Sequence, residues 1–314
     1  MKKTGRRILL VIIVLVIIGG VKIYHLFTMP NYFEVLLGLL EEPQNERLNT
    51  TGEKTGFTPY QILDGNLYYE KDSLYQYNYN SKQRKKLWDG EVMGFKIMKD
   101  KVFYAEWQKN RNEYDHNFWN IECRDLRDLH KEQVAEGVSD WVFSGESIFF
   151  SRMEENIRHI WQYDITSRQC KEIVAFNIFD QNEESEQGEM ELVIDQSIIF
   201  KDTGGAYLRL YNMQTGKWNK FFCVDFQKKE LYYRIIGIQA KGGDLYVQGT
   251  VCDSKKSDLG GSNVVSDAEE NGIWRVDVNT GKKEQITNTV YYGGIYMLDG
   301  ILYGIDNGKY EMIQ

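Results

Sequence analysis

Three aspartates at equivalent places in the chain, Asp125, Asp164 and Asp277, could do chemistry, because a ring of carboxylates can hold a cation or exchange protons. Each is followed nine positions later by an apolar residue: Val134, Ile173 and Ile286 respectively. Asn78 with Leu87 and Asn212 with Phe221 keep the same spacing. Two asparagines in this register argue against a role that needs charge. They fit a turn-opening role, since Asp and Asn side chains both bond to nearby backbone N–H groups. Other chemical templates are absent: there is no G-x-S-x-G, no H-E-x-x-H, no P-loop and no G-x-G-x-x-G after a strand. His25 falls in an apolar run, while His116, His130 and His159 stand apart. No catalytic residue, metal ligand or cofactor site is expected. Cys123, Cys170, Cys223 and Cys252 form no C-x-x-C pair and read as buried thiols, with one or two disulfides the alternative in an oxidising compartment.

The repeated spacing defines the elements that carry these residues. Before each Asp or Asn runs an alternating apolar stretch, as in Ile160, Trp161 and Tyr163 or Ile273, Trp274 and Val276, the pattern of a half-buried strand. After it comes a polar turn and a more basic strand: KKLW, KEQV, CKEI, NKFF and KEQI. Lysine there suits an edge, where charge discourages pairing with other chains. Upstream lies an apolar triplet beginning at Leu67, Val102, Ile148, Ile198, Leu245 or Ile301. Tight turns such as Asp64-Gly65, Gly242-Gly243 and Asp299-Gly300 precede these triplets, and a further short apolar run precedes the turn. Each unit therefore reads as four short strands, and six units of blade-like length fit between residues 56 and 314. The expected fold is an all-β, six-bladed propeller of four-stranded antiparallel blades. The aromatic residues, including Trp141, Trp161 and Trp274, are expected to fill the space between blades. The last unit stops before a fourth strand, and a segment near 47–58 is expected to supply it and join the last blade to the first.

The blade text NLYYEKDSLYQYN, SIFFSR with HIWQYD, and GIWRVDVNTGKKEQIT resembles the six-bladed propellers of the low-density-lipoprotein-receptor type. It is more similar still to a bacterial, membrane-anchored propeller family of unknown function. The Tyr-Trp-Thr-Asp core of the receptor-type blades is not reproduced intact. The resemblance rests on repeat grammar, so it implies the propeller fold and no catalytic residues.

Ahead of the repeats, residues 1–7 form a basic tail with Lys2, Lys3, Arg6 and Arg7, and residues 8–28 are an apolar stretch long enough to cross a bilayer of ~30 Å. A cleaved secretory signal is the competitor, but no A-x-A-like site follows the apolar run. An uncleaved signal-anchor is expected, with residues 29–55 as a juxtamembrane linker and 56–314 as the propeller domain. The basic residues precede the anchor while Glu34, Glu41 and Glu42 follow it, which places the N-terminus in the cytoplasm and the propeller outside. The chain has 38 basic and 46 acidic residues; residues 1–30 contain five of the basic ones and no acid, so the remainder carries a net −13. That balance excludes a nucleic-acid-binding face.

Loop length gives the functional expectation. The long inserts, 106–117, 176–188, 223–230 and 252–271, follow either a second or a fourth strand, and in a propeller those connections share one face. That mouth is the expected interaction surface. Trp107, Arg111, Tyr114, Asp115 and His116 are the candidate binding residues, since aromatic and Arg side chains dominate interface energetics. The acidic run with Glu183, Glu184 and Glu186 lacks the spacing of a calcium loop. Two functions compete: a binding module for a protein, peptide or wall polymer, and a propeller enzyme acting on glycans or peptides. Buried carboxylates converging in the mouth would favour the enzyme, and exposed aromatics the binder.

Overall fold

The computed structural model describes residues 60–314, apart from 71–72, 91, 109–116, 179–187, 203, 225, 227, 229, 256–263, 299 and 307–308. The expected basic tail, membrane anchor, juxtamembrane linker and closing strand therefore lie outside the described residues. Among the described residues no helix is long and apolar enough to cross a membrane.

Six antiparallel sheets follow one another along the chain. Blade 1 comprises β1 (Tyr60–Leu63), β2 (Asn66–Glu70), β3 (Leu74–Asn78) and β4 (Gln83–Lys86). Blade 2 comprises β5 (Met93–Met98), β6 (Lys101–Trp107), β7 (Trp119–Asp125) and β8 (Lys131–Val138). Blade 3 has β9 (Asp140–Ser144), β10 (Ser147–Glu154), β11 (Ile157–Asp164) and β12 (Cys170–Asn177). Blade 4 has β13 (Gly188–Ile194), β14 (Ser197–Asp202), β15 (Tyr207–Asn212) and β16 (Lys217–Cys223). Blade 5 has β17 (Leu231–Lys241), β18 (Asp244–Asp253), β19 (Gly272–Asp277) and β20 (Lys283–Thr287). Blade 6 has β21 (Ile295–Leu298), β22 (Ile301–Asp306) and β23 (Lys309–Met312), three strands among the described residues. The expected fold is borne out: an all-β, six-bladed propeller.

Burial sorts the strands from axis to rim. The second strands carry the expected apolar triplets, such as Leu67 to Tyr69 and Ile148 to Phe150, all buried. The fourth strands are largely exposed, and all four residues of β4 are. Each apolar sheet face is covered by the next blade, so six clusters fill the six gaps. Leu74, Phe95 and Tyr104 lie between blades 1 and 2, and Phe103, Trp141 and Phe150 between blades 2 and 3. Ile160, Val193 and Phe200 lie between blades 3 and 4, and Phe222, Tyr233 and Val247 between blades 4 and 5. Tyr246, Ile273 and Leu302 follow between blades 5 and 6. Tyr60, Ile62, Tyr69, Tyr303 and Ile305 close the ring between blades 6 and 1, helped by a hydrogen bond from Tyr60 Oη to the Met297 carbonyl at 3.1 Å.

The nine-residue spacing has a geometric cause. Five residues, Asn78, Asp125, Asp164, Asn212 and Asp277, end third strands, and the Oδ1 of each accepts a backbone N–H within the following turn: Ser81 at 2.8 Å, Arg127 at 2.9 Å, Ser167 at 2.6 Å, Thr215 at 2.8 Å and Thr280 at 2.7 Å. Four residues later the backbone is left-handed every time, at Lys82, Leu129, Arg168, Gly216 and Gly281, and that residue's N–H returns to the carbonyl of the Asp or Asn. In blades 2 to 5 the apolar residue at the ninth position, Val134, Ile173, Phe221 or Ile286, is the extra residue of a β-bulge between third and fourth strands. A bulge shifts the register by one and bends the strand, and the apolar residue inserted there is half-buried in all four blades.

Candidate functional site

Connections of two kinds meet at one end of the ring. The Ser254 N–H donates to the Glu230 carbonyl at 2.9 Å, tying the β18–β19 connection to the β16–β17 link. Likewise Ile178 N–H donates to the Asn156 carbonyl at 2.9 Å. The opposite end carries the short turns, where Tyr79, Leu126, Ile165, Met213 and Val278 donate their N–H groups to carbonyls of the first-to-second strand turns. Asp125, Asp164 and Asp277 lie on that turn face. Their hydrogen bonds, from Arg127 above all for Asp125, from Ser167 for Asp164 and from Thr280 for Asp277, hold the carboxyls below the usual carboxylate range. They are turn-builders, as the two asparagines in the same register require.

At the loop-rich end a cavity of about 460 Å³ opens into the ring. Its walls are the inner strands β9, β13, β17 and β21, with Trp119 from β7 and Arg158 from β11. Its apolar lining comes from Ile236, Ile295, Tyr296 and the two tryptophans Trp119 and Trp141. Its charged lining comes from Asp140, Glu189, Glu191 and Arg158. Two neighbouring inner strands each bulge here. Glu191 is the extra residue of β13 and Ile236 the extra residue of β17, and Ile236 is left 43% exposed. Bulges of this kind re-aim a side chain without breaking the sheet.

The charged groups of the cavity are tied into the scaffold. Asp140 Oδ2 accepts the Met190 N–H at 2.5 Å, and an Arg158 amino group donates to the Gly188 carbonyl, so two blade 3 side chains cap the inner strand of blade 4. Burial, reinforced by Glu191 and Glu189 and opposed by Arg158 and the Met190 N–H, pushes the Asp140 carboxyl up to about 7. Arg158 Nε is buried and has no hydrogen-bond partner among the described residues. Lys201 pairs with Glu189 at 3.2 Å and with Glu191. Glu70 repeats the capping pattern in blade 1: its Oε2 accepts the Gly94 N–H at 2.7 Å, and burial raises it to about 7.

An aromatic row runs from this cavity to the rim. Trp141 meets Trp119 edge-on at 5.0 Å, and Trp119 meets Trp107 edge-on at 4.9 Å. Trp107 stacks on Phe118 at 5.2 Å and is 42% exposed. Of the five expected binding residues, Trp107 thus stands on the loop-rich face; Arg111, Tyr114, Asp115 and His116 lie outside the described residues. The cavity wall itself was not anticipated. Asp140, Arg158 and Glu191 follow no motif, and they meet because the inner strands β9 and β13 are neighbours and Arg158 reaches across from β11 to the Gly188 carbonyl. The mouth holds both a half-buried carboxyl, Asp140, and exposed aromatics.

The remaining candidates fall elsewhere. His130 sits in an exposed turn and His159 bonds to Glu172 at 2.7 Å. Among the described residues no group of His, Cys, Asp or Glu is arranged to hold a metal ion. Cys123 and Cys252 are buried thiols as expected. Cys170 is exposed, a departure explained by its place on the outer strand β12, and Cys223 is half-buried on β16.

No protein-family model matches the sequence, and no curated protein does either. Solved structures do resemble the fold. An oligogalacturonate lyase from Vibrio parahaemolyticus aligns with a TM-score of 0.48 at 13% identity, over 82% of this chain and 70% of the other. An auxiliary nutrient binding protein from Bacteroides thetaiotaomicron aligns with a TM-score of 0.46 at 11% identity, over 84% and 70%. A nidogen/laminin complex gives 0.41 at 10% identity, over 71% and 75%. Likeness at this level carries nothing about ligand or reaction, and the fold rests on the sheet order itself.

Proposed function

We propose that this protein is a membrane-tethered propeller that presents its loop-rich face outside the cell as a binding surface for a protein, peptide or cell-wall polymer. The observation that carries the reading is the open cavity at that face, joined to an exposed rim by the row Trp141, Trp119, Trp107 and Phe118. Exposed aromatic side chains on a rigid scaffold supply contact area at low entropic cost. The tether and its orientation are supported by the basic tail 1–7, the apolar stretch 8–28 and the acidic remainder.

Replacing residues 109–116 and 256–263 with short Gly-Ser turns should abolish partner capture by the full-length protein; unchanged capture would sink the binding reading. Protease added to intact, wall-stripped cells should digest the propeller, and its survival would contradict the placement.

Asp140 favours a second reading, an extracytoplasmic enzyme acting on glycans or peptides. A carboxyl held near 7 in a cavity is matched to general acid or base work. In that case Asp140→Asn would abolish turnover of a captured ligand while retaining its binding. A binding module would show no turnover in either form.

A further inference from the structure

The hydrogen-bonding groups of the mouth cavity are unequal in kind, and the imbalance restricts what fits. Resting on the reading of this face as a binding surface, we propose that the cavity takes the sugar residues of a neutral or amine-bearing glycan. Its volume of about 460 Å³ falls within the ~300–1,000 Å³ of ligand pockets. The polar wall is mainly accepting: Asp140, Glu189 and Glu191 present carboxyl oxygens. Beside them Arg158 brings guanidinium donors to the same lining. A ligand that donates to the carboxyl oxygens and also accepts from the guanidinium matches this set.

A hydroxyl does both. An isolated ammonium only donates, and a carboxylate or phosphate would face three acidic side chains. The apolar lining, Ile236, Ile295, Tyr296 and Trp119, offers aliphatic and aromatic surface for the C–H face of a sugar ring. The bulges of β13 and β17 bring the two kinds of surface together, since Glu191 and Ile236 are the extra residues those strands insert at the cavity.

The test uses purified full-length protein in a detergent without a sugar headgroup. It is titrated calorimetrically with four probes: tetra-N-acetylglucosamine, tetraglucosamine, tetragalacturonate and tetralysine. Saturable binding of one or both of the first two is expected, with tetragalacturonate and tetralysine at least tenfold weaker. Glu191→Gln should weaken that binding by about tenfold, the loss of a charged hydrogen-bond acceptor. Ile236→Ala, which alters an exposed side chain, should weaken it by about fivefold through lost apolar contact. Lys99→Ala on the turn face should leave it unchanged, and thermal melts would confirm that all three variants fold. Preference for tetragalacturonate or tetralysine, no saccharide binding, or saccharide binding indifferent to both cavity variants would overturn the glycan assignment. Capture of a protein at the same face without sugar binding would overturn it too, leaving the binding-surface reading standing; loss of both would end both.

Discussion

Asn212 accepts the N–H groups of Gln214 and Thr215 and the Thr215 hydroxyl through a single oxygen, which is why Asp and Asn interchange at this position across blades. Asn212→Ala should therefore destabilise the propeller by about 1 kcal/mol, and Asn212→Asp by much less. Urea denaturation of the two variants would check the difference. This residue was legible in the sequence because its bonds are local. The left-handed residue four places on was not: Lys82, Leu129 and Arg168 occupy it in three blades, residue types that give no hint of positive φ, while only Gly216 and Gly281 do. Asp140 was equally hidden, since its partner Met190 is 50 residues away.

At the scale of elements, side chains of one blade cap backbone groups on the inner strand of the next, at β5, β13 and β21. Gln61 does this fully: its Nε2 donates to the Ile97 carbonyl at 2.9 Å and its Oε1 accepts the Ile97 N–H at 2.7 Å. Gln61→Leu should cost roughly 2–4 kcal/mol, because it strands both groups in a buried site. Gln248 makes the same pair with Tyr291, from blade 5 to blade 6. Two caps are carboxyls, Glu70 and Asp140, each held at about 7 by burial. Their folded values exceed those of the unfolded chain, near 4, so the folded state binds protons more tightly. The stability they contribute is full below about pH 4 and is lost as pH rises through about 7. The double variant Glu70→Gln, Asp140→Asn should accordingly melt with less pH dependence than the parent between pH 5 and 8, and higher than it at pH 8. Scanning calorimetry at four pH values would show the sign. The second strands were readable from sequence as unbroken apolar triplets because both of their faces are buried; the caps were not, since a glutamine in a strand looks the same whether it caps a neighbour or faces solvent.

For the whole molecule, closure is what makes the blades one body. The gap between blades 6 and 1 is packed by tyrosines, including Tyr60, Tyr69 and Tyr303, in the same manner as the other five gaps. Tyr303→Ala should then cost about 3 kcal/mol or more, as should Phe95→Ala in the gap between blades 1 and 2. A much smaller loss at Tyr303 in denaturant titrations would mean an open ring. The blade count and the face shared by the long connections were legible because repeats fix topology. The cavity was invisible because it is built from residues of five blades that no local pattern links.

The claim that the loop-rich face is the working surface can be tested most directly in cells, by placing a photo-crosslinking amino acid singly at Trp107 and Tyr292 on that face and at Lys82 and Arg168 on the turn face. Tyr292 is 65% exposed and Trp107 42%, so a crosslinker at either position reaches solvent. The account predicts adducts from the two loop-face positions and none from the turn-face pair. Adducts from Lys82 or Arg168 alone would contradict it.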